Sequence, residues 1–299
     1  MLSKYNSYHL QVDTKDELKS SSFDLVLSSP SKVNLFFRVI AKRSDGFHEI
    51  ASLYQAIGLF DTLYFKRSDA LQVTCSDKTL LCDDSNLVTK ALRLFQSKTG
   101  IDLSVHIHLV KNIPVQAGLG GGSGNAATTL FGLNELYGRP ATHKELEVWS
   151  SELGSDVPFF FSSGSAYCTG RGEMLENVGP LTLPSHLTIV KPLEGLSTPL
   201  VYKNCRVDEF PSRDPEKSLQ SFMQGGAEFY NDLEIPSFAI LPSLKETKAM
   251  LASSGFSHVV MCGSGTAFFC IGEGSIEQDS SLLIRKVPII QRKDNGWYE

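Results

Sequence analysis

The chain has 299 residues, a length that suits one large domain or two ordinary ones and allows a core without disulfide or metal staples. Apolar residues make up 41% of it and charged residues 20%, which excludes disorder, collagen and coiled coil as descriptions of the whole chain. The net charge of -5 and the lack of any apolar run near the roughly 20 residues of a membrane span predict neither a nucleic-acid partner nor a membrane partner.

The first 22 residues are polar and charged, so we expect a loose extension before the first strand and no secretory signal. The six cysteines form no C-x-x-C pair and do not have the spacing of a zinc module. Several of them lie in apolar runs, which predicts buried, reduced thiols. Reduced thiols in turn indicate a cytoplasmic location.

Strands are predicted along the first quarter of the chain. Residues 23–27 alternate in hydrophobicity, Pro30 is expected to end that strand, and strand character resumes over 32–39. Two more strands, over 61–65 and 71–75, are predicted to pair with each other as a hairpin.

A helix and a half-buried strand come next. Apolar residues at helical spacing predict the helix over 86–100, with Gly100 at its C-terminal end. Residues 103–109 alternate as a strand whose polar face carries His106 and His108. These histidines are either solvated side chains, which is common on a strand face, or two ligands of a metal that has no third ligand nearby.

Five of the seven residues from Gly118 to Gly124 are glycine, and this run joins the strand to an alanine-rich helix. Glycine lets a ligand approach backbone N–H groups closely, and the start of a helix favours an anion such as phosphate. A plain turn without a ligand is the alternative. The run contains no P-loop lysine and fits the G-x-G-x-x-G fingerprint in no register, and the kinase motifs H-R-D and D-F-G do not occur in the chain. We therefore expect a phosphate cradle of another kind.

The middle of the chain carries a second helix signal and a possible boundary. A capping box at Thr142–Glu145 predicts a helix that ends at Gly154, and a hairpin is predicted over 165–178. Prolines then recur over 180–192, which favours a domain boundary near residue 180.

The second half of the chain has shorter and less regular helix and strand signals. Helices are predicted over 217–222 and 243–254, the latter with a capping box at Ser243–Glu246. Residues 259–271 are predicted to form two strands across a glycine-containing turn. The last ten residues are polar, and we expect them to be frayed.

Residues 114–127, with the sequence P-V-Q-A-G-L-G-G-G-S-G-N-A-A, resemble the glycine-rich ATP loop of the GHMP kinases. Four other segments resemble motifs of the same family, in the same order along the chain: Ser29–Leu35, Arg43–His48, Gly154–Phe160 and Met261–Ala267. Together they are similar to one branch of the family, whose substrate is 4-diphosphocytidyl-2-C-methyl-D-erythritol, a cytidine diphosphate methylerythritol.

The resemblance implies an α+β fold of two domains. Residues 1–180 would form the ATP-binding lobe, ribosomal protein S5 domain 2-like, and residues 181–299 a ferredoxin-like α/β sandwich lobe that contributes to substrate binding. It also implies an ATP-dependent kinase of the non-mevalonate (MEP) isoprenoid pathway. Such an enzyme uses ATP and Mg²⁺ to phosphorylate the 2-hydroxyl of the cytidyl substrate, giving the 2-phosphate and ADP. We expect a monomer or a homodimer.

Two residues are expected to carry the catalysis. From the sequence pattern alone, Asp156 is a helix N-cap, whereas the resemblance implies the catalytic base that accepts the proton of the substrate hydroxyl. Lys32 lies in an apolar strand, where a lysine is costly unless it is paired or reaches water at a sheet edge. The resemblance implies that Lys32 is the electrostatic partner of Asp156.

The resemblance also implies two sets of binding residues. The residues implied for ATP are Pro114, Gly118, Leu119, Gly120, Gly121, Gly122, Ser123, Gly124 and Asn125, with Ser123 also a candidate contact to Mg²⁺. The residues implied for the substrate are Asn34, Phe47, His48, Thr198, Tyr202, Gly263 and Gly265. Phe47, where the family has tyrosine, and Tyr202 would stack on the cytosine while His48 bonds its edge. Core packing, surface exposure or a plain hairpin turn are the alternatives for these residues.

Two other functions remain as alternatives. The chain could phosphorylate another acceptor, such as mevalonate, homoserine or a sugar, but Phe47, His48 and the long glycine loop argue against it. It could instead be a catalytically silent nucleotide-binding protein, but the presence of both Lys32 and Asp156 argues against that. The adenine pocket is expected near 61–65 and 79–86.

Overall fold

A computed structural model describes residues 22–277, 279–292 and 296–298, and the predicted N-terminal extension lies outside this part of the chain but for Ser22. The described residues form two sheets, one of seven strands and one of four, with helices packed on them. This mixed architecture confirms the predicted α+β class.

Eleven strands lie within the described residues. In chain order they are β1 (Leu25–Lys42), β2 (His48–Arg67), β3 (Gln72–Cys75), β4 (Val105–Val110), β5 (Ser165–Thr169), β6 (Met174–Asn177), β7 (His186–Pro192), β8 (Tyr230–Asn231), β9 (His258–Met261), β10 (Phe268–Ile271) and β11 (Leu282–Pro288). The larger sheet has the order β3-β4-β2-β1-β8, with β5 paired to β2 and to β6. The smaller sheet has the order β11-β7-β10-β9.

Two predictions about the first strands are wrong. Pro30 does not end a strand, because β1 runs through it with a register shift between Pro30 and Ser31, and such a bulge tolerates the missing N–H. The predicted hairpin of 61–65 with 71–75 does not form. Instead β4 lies between the two, antiparallel to β2 and parallel to β3, since a helix carries the chain from β3 back to β4.

Seven α-helices are described: α1 (Leu87–Thr99), α2 (Gly121–Leu136), α3 (His143–Ser150), α4 (Thr198–Lys203), α5 (Pro215–Met223), α6 (Glu234–Ile240) and α7 (Ser243–Ser253). The predicted left-handed end of α1 at Gly100 and the capping box at Thr142–Glu145 are confirmed. The capping box predicted at Ser243 is wrong. Pro242 occupies the N-cap of α7, and the Ser243 hydroxyl donates instead to Glu194 at 2.9 Å.

The described part of the C-terminal segment packs into the protein. Trp297 stacks on Phe131 of α2 with ring centres 4.6 Å apart, and its indole N–H donates to the carbonyl of Ser28 at 2.9 Å. Trp297 and Tyr298 are both buried. The predicted fraying is therefore wrong for these residues, because two aromatic side chains outweigh the polar composition around them.

The cysteines and the paired histidines lie within the described residues. All six cysteines are free, and Cys75, Cys168, Cys262 and Cys270 are buried, as expected for reduced thiols. His106 and His108 both contact the hydroxyl of Thr74, and the described residues contain no group of three or more His, Cys, Asp or Glu that could hold a metal. Within the same part of the chain, no helix has the length and apolar character needed to cross a bilayer.

Candidate active site

Two neighbouring cavities meet at the glycine loop, residues 118–124. The first, of about 690 Å³, lies between β1, β2, the segment after α3, the start of α4 and the β9–β10 turn. The second, of about 480 Å³, lies between residues 79–87 and residues 109–125. Gly118, Gly120 and Ser123 line both cavities, so a ligand that spans the loop would enter each of them.

The glycine loop is attached to β1 and leads directly into α2. The N–H of Lys32 donates to the carbonyl of Leu119 at 2.9 Å, and Gly118 and Gly120 have φ of +77° and +69°. No side chain caps α2, which begins at Gly121. The first N–H groups of a helix have no acceptor within the helix, so this end of α2 offers donors to an anion.

Some glycines of the site are required by close backbone packing and not by the approach of a ligand. A Cβ atom on Gly118 would overlap the carbonyl of Cys262, and one on Gly265 would overlap the backbone of Ala117 and Gly118. The β9–β10 turn therefore packs backbone to backbone on the loop. A Cβ atom on Gly124 would overlap the carbonyl of Pro30, which holds α2 against β1.

Asn125 takes part in a buried polar network below the loop. Its amide donates to the Ser29 hydroxyl and to Oδ2 of Asp61, both at 2.9 Å. Asp61 also pairs with Lys111 and accepts the N–H of Ile113 at 2.8 Å. This network anchors α2 to β1 and β2, and a contact between Asn125 and the nucleotide stays a prediction.

Lys32 and Asp156 meet at the floor of the first cavity. Nζ of Lys32 lies 3.3 Å from Oδ2 of Asp156, with the lysine side chain 3% exposed and the aspartate side chain 33% exposed. Nζ also donates to the amide oxygen of Asn34 at 3.0 Å, and the Asn34 amide donates to Ser52. Lys32 is thus paired, as its place in an apolar strand requires.

Asp156 does not cap a helix. The short 3-10 helix Pro158–Phe161 has Val157 at its N-cap, without a capping side chain. The carboxylate of Asp156 instead accepts the hydroxyl of Tyr54 at 3.1 Å. Burial, and then the nearby Asp156, raise the pKa of Tyr54 well above its ordinary value, so the phenol remains a donor.

Phe47, His48 and Tyr202 form an aromatic part of the first cavity, here called its aromatic end. Phe47 is 53% exposed, whereas His48 is buried with its ring centre 5.2 Å from that of Tyr202. Burial, followed by the charge of Lys42, lowers the pKa of His48, so the neutral imidazole is favoured. Burial likewise raises the pKa of Tyr202.

The structure brings together most of the residues that the sequence predicted for the site. Those lining the first cavity are Lys32, Phe47, His48, Gly118, Gly120, Ser123, Asp156, Thr198, Tyr202 and Gly263. Those lining the second are Pro114, Gly118, Leu119, Gly120, Gly121, Gly122, Ser123 and Asn125. Asn34, Gly124 and Gly265 are not among the lining residues of either cavity.

Several side chains of the site were missed by the sequence analysis. Tyr54 lies in an apolar strand and resembles core, although a buried phenol needs a partner for its hydroxyl. Lys42, Arg171 and Lys203 add positive charge to the first cavity, and no local pattern marks them. The guanidinium of Arg171 lies 4.9 Å from the centre of the Phe47 ring.

One of the two segments expected near the adenine lines the second cavity, and its contact with adenine stays a prediction. Thr79, Leu80, Leu81, Ser85 and Asn86 line it, as the expectation for 79–86 proposed. Residues 61–65 are not among its lining, because they lie within β2, where Asp61 is buried in the network below the loop.

Comparison with known proteins decides the family. The model of the GHMP kinases N terminal domain matches residues 86–164. A protein of Protochlamydia amoebophila (strain UWE25), named 4-diphosphocytidyl-2-C-methyl-D-erythritol kinase, is 50% identical to this chain over 282 residues, which cover 94% of this chain and 96% of its own. The chain belongs to the 4-diphosphocytidyl-2-C-methyl-D-erythritol kinase family.

Another relative and two solved structures are also similar to this chain. The chloroplastic 4-diphosphocytidyl-2-C-methyl-D-erythritol kinase of Arabidopsis thaliana is 41% identical, covering 92% of this chain and 76% of its own. A crystal structure of 4-(cytidine 5'-diphospho)-2C-methyl-D-erythritol kinase has a TM-score of 0.73 at 30% identity, covering 88% of this chain and 99% of that one. The Methanococcus jannaschii mevalonate kinase, at 12% identity and a TM-score of 0.64 over 89% of this chain and 98% of its own, shows the shared fold alone.

Proposed function

We propose that the chain transfers the γ-phosphoryl group of ATP to the 2-hydroxyl of 4-diphosphocytidyl-2-C-methyl-D-erythritol, as a step of non-mevalonate isoprenoid synthesis. The observation that carries the proposal is the Lys32–Asp156 pair, which lines the same cavity as the glycine loop and the rings of Phe47 and Tyr202. An identity of 50% to a kinase of this name over nearly the whole chain supports the same substrate.

ATP is proposed to bind across the second cavity and the glycine loop. The N–H groups at the start of α2 would hold its phosphates, helped by the dipole of that helix. Pro114 and residues 118–125 would form this cradle, and residues 79–87 would face the adenine. When bound, ATP supplies the phosphoryl group.

A magnesium ion fits this arrangement only if the nucleotide phosphates supply most of its ligands. The described residues contain no carboxylate cage for it, but Mg²⁺ in kinases is usually held by substrate phosphates, waters and one or two protein oxygens. The Ser123 hydroxyl, at the junction of the two cavities, is our candidate for such an oxygen. Bound there, the ion would offset negative charge on the phosphates.

Asp156 is proposed to accept the proton of the acceptor hydroxyl while the oxygen attacks the γ-phosphorus and the bond to the leaving ADP breaks. Lys32 would pair with the carboxylate and stabilise negative charge that develops on the transferred group. Asn34 holds Nζ of Lys32 and would bond the acceptor.

The acceptor is proposed to lie in the first cavity. Phe47 and Tyr202 would stack on the two faces of the cytosine, and the neutral His48 would bond its edge. Thr198, whose hydroxyl lies 2.8 Å from that of Ser264, would contact the substrate together with the backbone at Gly263 and Gly265. Each of these roles is a proposal for this chain.

We keep three general properties as proposals. The division into a lobe of residues 1–180 and a lobe of 181–299 falls between β6 and β7, where the chain passes from the larger to the smaller sheet. The six free cysteines support a reducing compartment such as the cytoplasm. A monomer or a homodimer is proposed for the assembly.

The proposed function is tested by offering ATP and Mg²⁺ with the cytidyl substrate, mevalonate, homoserine or galactose, and following ADP release. Of the four acceptors, we expect only the cytidyl substrate to give ADP. A new phosphomonoester at its 2-position should then be visible by ³¹P NMR. ADP from another acceptor and none from the cytidyl compound would contradict the assignment. Nucleotide binding without turnover of any acceptor would favour the catalytically silent alternative.

A further inference from the structure

Tyr54 contacts both members of the Lys32–Asp156 pair. Its hydroxyl donates to Oδ1 of Asp156 at 3.1 Å, and Nζ of Lys32 lies 4.4 Å from the centre of its ring. The other carboxylate oxygen, Oδ2, lies 3.3 Å from Nζ of Lys32. The three side chains form a closed triangle in which each oxygen of Asp156 has its own partner.

We propose that Tyr54 is a positioning residue for phosphoryl transfer, whose hydroxyl orients the Asp156 carboxylate while its ring supports the Lys32 ammonium. The inference rests on the proposed function of the chain as a kinase. It adds a residue that acts through Asp156 and Lys32 and does not itself take the proton.

The ring of Tyr54 is held firmly enough for such a role. Tyr54 lies on β2 opposite Asn34 of β1 and is buried. Its ring packs edge-on against Phe159, with ring centres 5.3 Å apart. Because Phe159 lies three residues after Asp156, the same packing holds the segment that carries the carboxylate.

A tight turn covers the hydrogen bond between Tyr54 and Asp156. Gly172, between β5 and β6, has φ of +108°. A Cβ atom at this position would lie 3.2 Å from the Tyr54 hydroxyl and 3.8 Å from Oδ1 of Asp156. The backbone of this turn thus lies close to both partners of the bond, and a side chain at position 172 would crowd the Tyr54 hydroxyl.

The chemistry of the phenol fits a donor and not a base. Its hydroxyl keeps its proton throughout the range in which kinases are assayed, because burial and the adjacent carboxylate both oppose ionisation. A cation above an aromatic ring is stabilised by the ring, more so when water is excluded. Without the hydroxyl, the partly exposed carboxylate would be tied only through Oδ2, and a small loss of alignment can cost much of the rate.

The decisive variant is Tyr54→Phe, which removes the hydroxyl and keeps the ring beneath Lys32. Loss of a hydrogen bond to a charged group predicts that kcat falls about 10- to 100-fold. KM for ATP and for the acceptor should stay within about 2-fold, since Tyr54 holds the base and not the substrate. An unchanged kcat in an active protein would overturn the inference while leaving the proposed function intact, whereas an inactive wild-type chain would overturn the proposed function.

Tyr167→Phe is the matched control. Tyr167 is also buried, and its hydroxyl donates to Glu216 at 2.9 Å, away from the two cavities. The same atom is thus removed from the same kind of bond, and kcat should be unchanged. A similar loss of kcat in both variants would mean a general structural effect and would contradict a positioning role.

A double-mutant cycle separates the two explanations further. In the Asp156→Asn background, Tyr54→Phe should change the residual rate by less than about 2-fold, because there is no base left to position. Full additivity of the two losses would show that Tyr54 does not act through Asp156. Tyr54→Leu, which also removes the ring from Lys32, should lose more activity than Tyr54→Phe.

Discussion

The glycine loop and the cluster of Lys32, Tyr54 and Asp156 build their parts of the site in opposite ways. The loop is one continuous run, residues 118–124, and it offers backbone N–H groups at the start of α2. The cluster is assembled from β1, β2 and the segment after α3, and it offers side chains. One region is thus formed by local conformation and the other by long-range packing.

This difference determines how each region should respond to substitution. A glycine of the loop contributes through what a Cβ atom would touch, so the effect depends on position and acts on binding or on packing. A side chain of the cluster is proposed to contribute a specific group to the reaction, so its removal should reduce kcat more than it reduces stability. The following variants test that contrast.

The largest effect is expected from Asp156→Asn. It removes the proposed proton acceptor and keeps the shape of the side chain, so kcat should fall by about 10²-fold or more. The thermal unfolding midpoint should fall only modestly, because Asp156 is one-third exposed and the amide oxygen of Asn34 still accepts from the buried Lys32. Near-normal turnover would remove Asp156 from the mechanism and with it the contrast between cluster and loop.

The loop itself is tested by comparing Gly124→Ala with Gly122→Ala. A methyl group on Gly124 would overlap the carbonyl of Pro30, so we expect a loss of about 1–3 kcal/mol in the free energy of unfolding. A methyl group on Gly122 meets only Cδ1 of Leu87, at 3.3 Å, and faces the second cavity. That variant should unfold like the wild type and show a raised KM for ATP. Urea unfolding gives the free energy of unfolding, and initial rates give KM for ATP. If the two variants changed each of these quantities by the same amount, the distinction between packing and binding glycines would be refuted.

A smaller effect is expected from pH at the aromatic end of the first cavity. Burial and Lys42 lower the pKa of His48 below its ordinary value of 6.5, so the folded protein keeps the imidazole neutral at pH 7. KM for the cytidyl substrate should therefore be constant above pH 7 and rise when acidification protonates the imidazole. His48→Gln should have a higher KM that no longer changes with pH in this range. A wild-type KM that stays flat through the titration of His48, followed by NMR of the imidazole, would argue against His48 as the reader of the base edge.

The smallest effect is expected from Phe47→Tyr, which restores the hydroxyl that the family has at this position. The ring is half exposed and already stacks against Arg171, so KM and kcat should change by less than about 2-fold. Phe47→Ala serves as the comparison and should raise KM for the cytidyl substrate, with KM for ATP unchanged. Equal kinetics of the two variants would mean that the ring does not contact the base.

Features that depend on neighbouring residues could be predicted from the sequence. The left-handed Gly100, the capping box of α3 and the junction of the glycine loop with α2 each follow from a few adjacent residues. Lys32 and Asp156 could be paired only through the family resemblance, because nothing in their spacing shows that the segments carrying them meet.

Features that depend on distant segments could not be predicted. β4 enters between β2 and β3 although it follows both in the chain, so the hairpin pattern was misleading. Gly265 needs its small size because the loop packs on it, which no pattern near Gly265 indicates. The Tyr54 hydroxyl reaches Asp156, which lies 102 residues further along the chain. In each case the missing information was the identity of a neighbour far away in sequence.

The most direct test of the central claim is a crystal structure with a non-hydrolysable ATP analogue and the cytidyl substrate. We predict the phosphates on the loop at residues 118–123 and the acceptor 2-hydroxyl within about 3.2 Å of the Asp156 carboxylate and of Nζ of Lys32. The cytosine should lie between Phe47 and Tyr202. A cytidyl ligand bound with its 2-hydroxyl remote from both Lys32 and Asp156 would contradict the account.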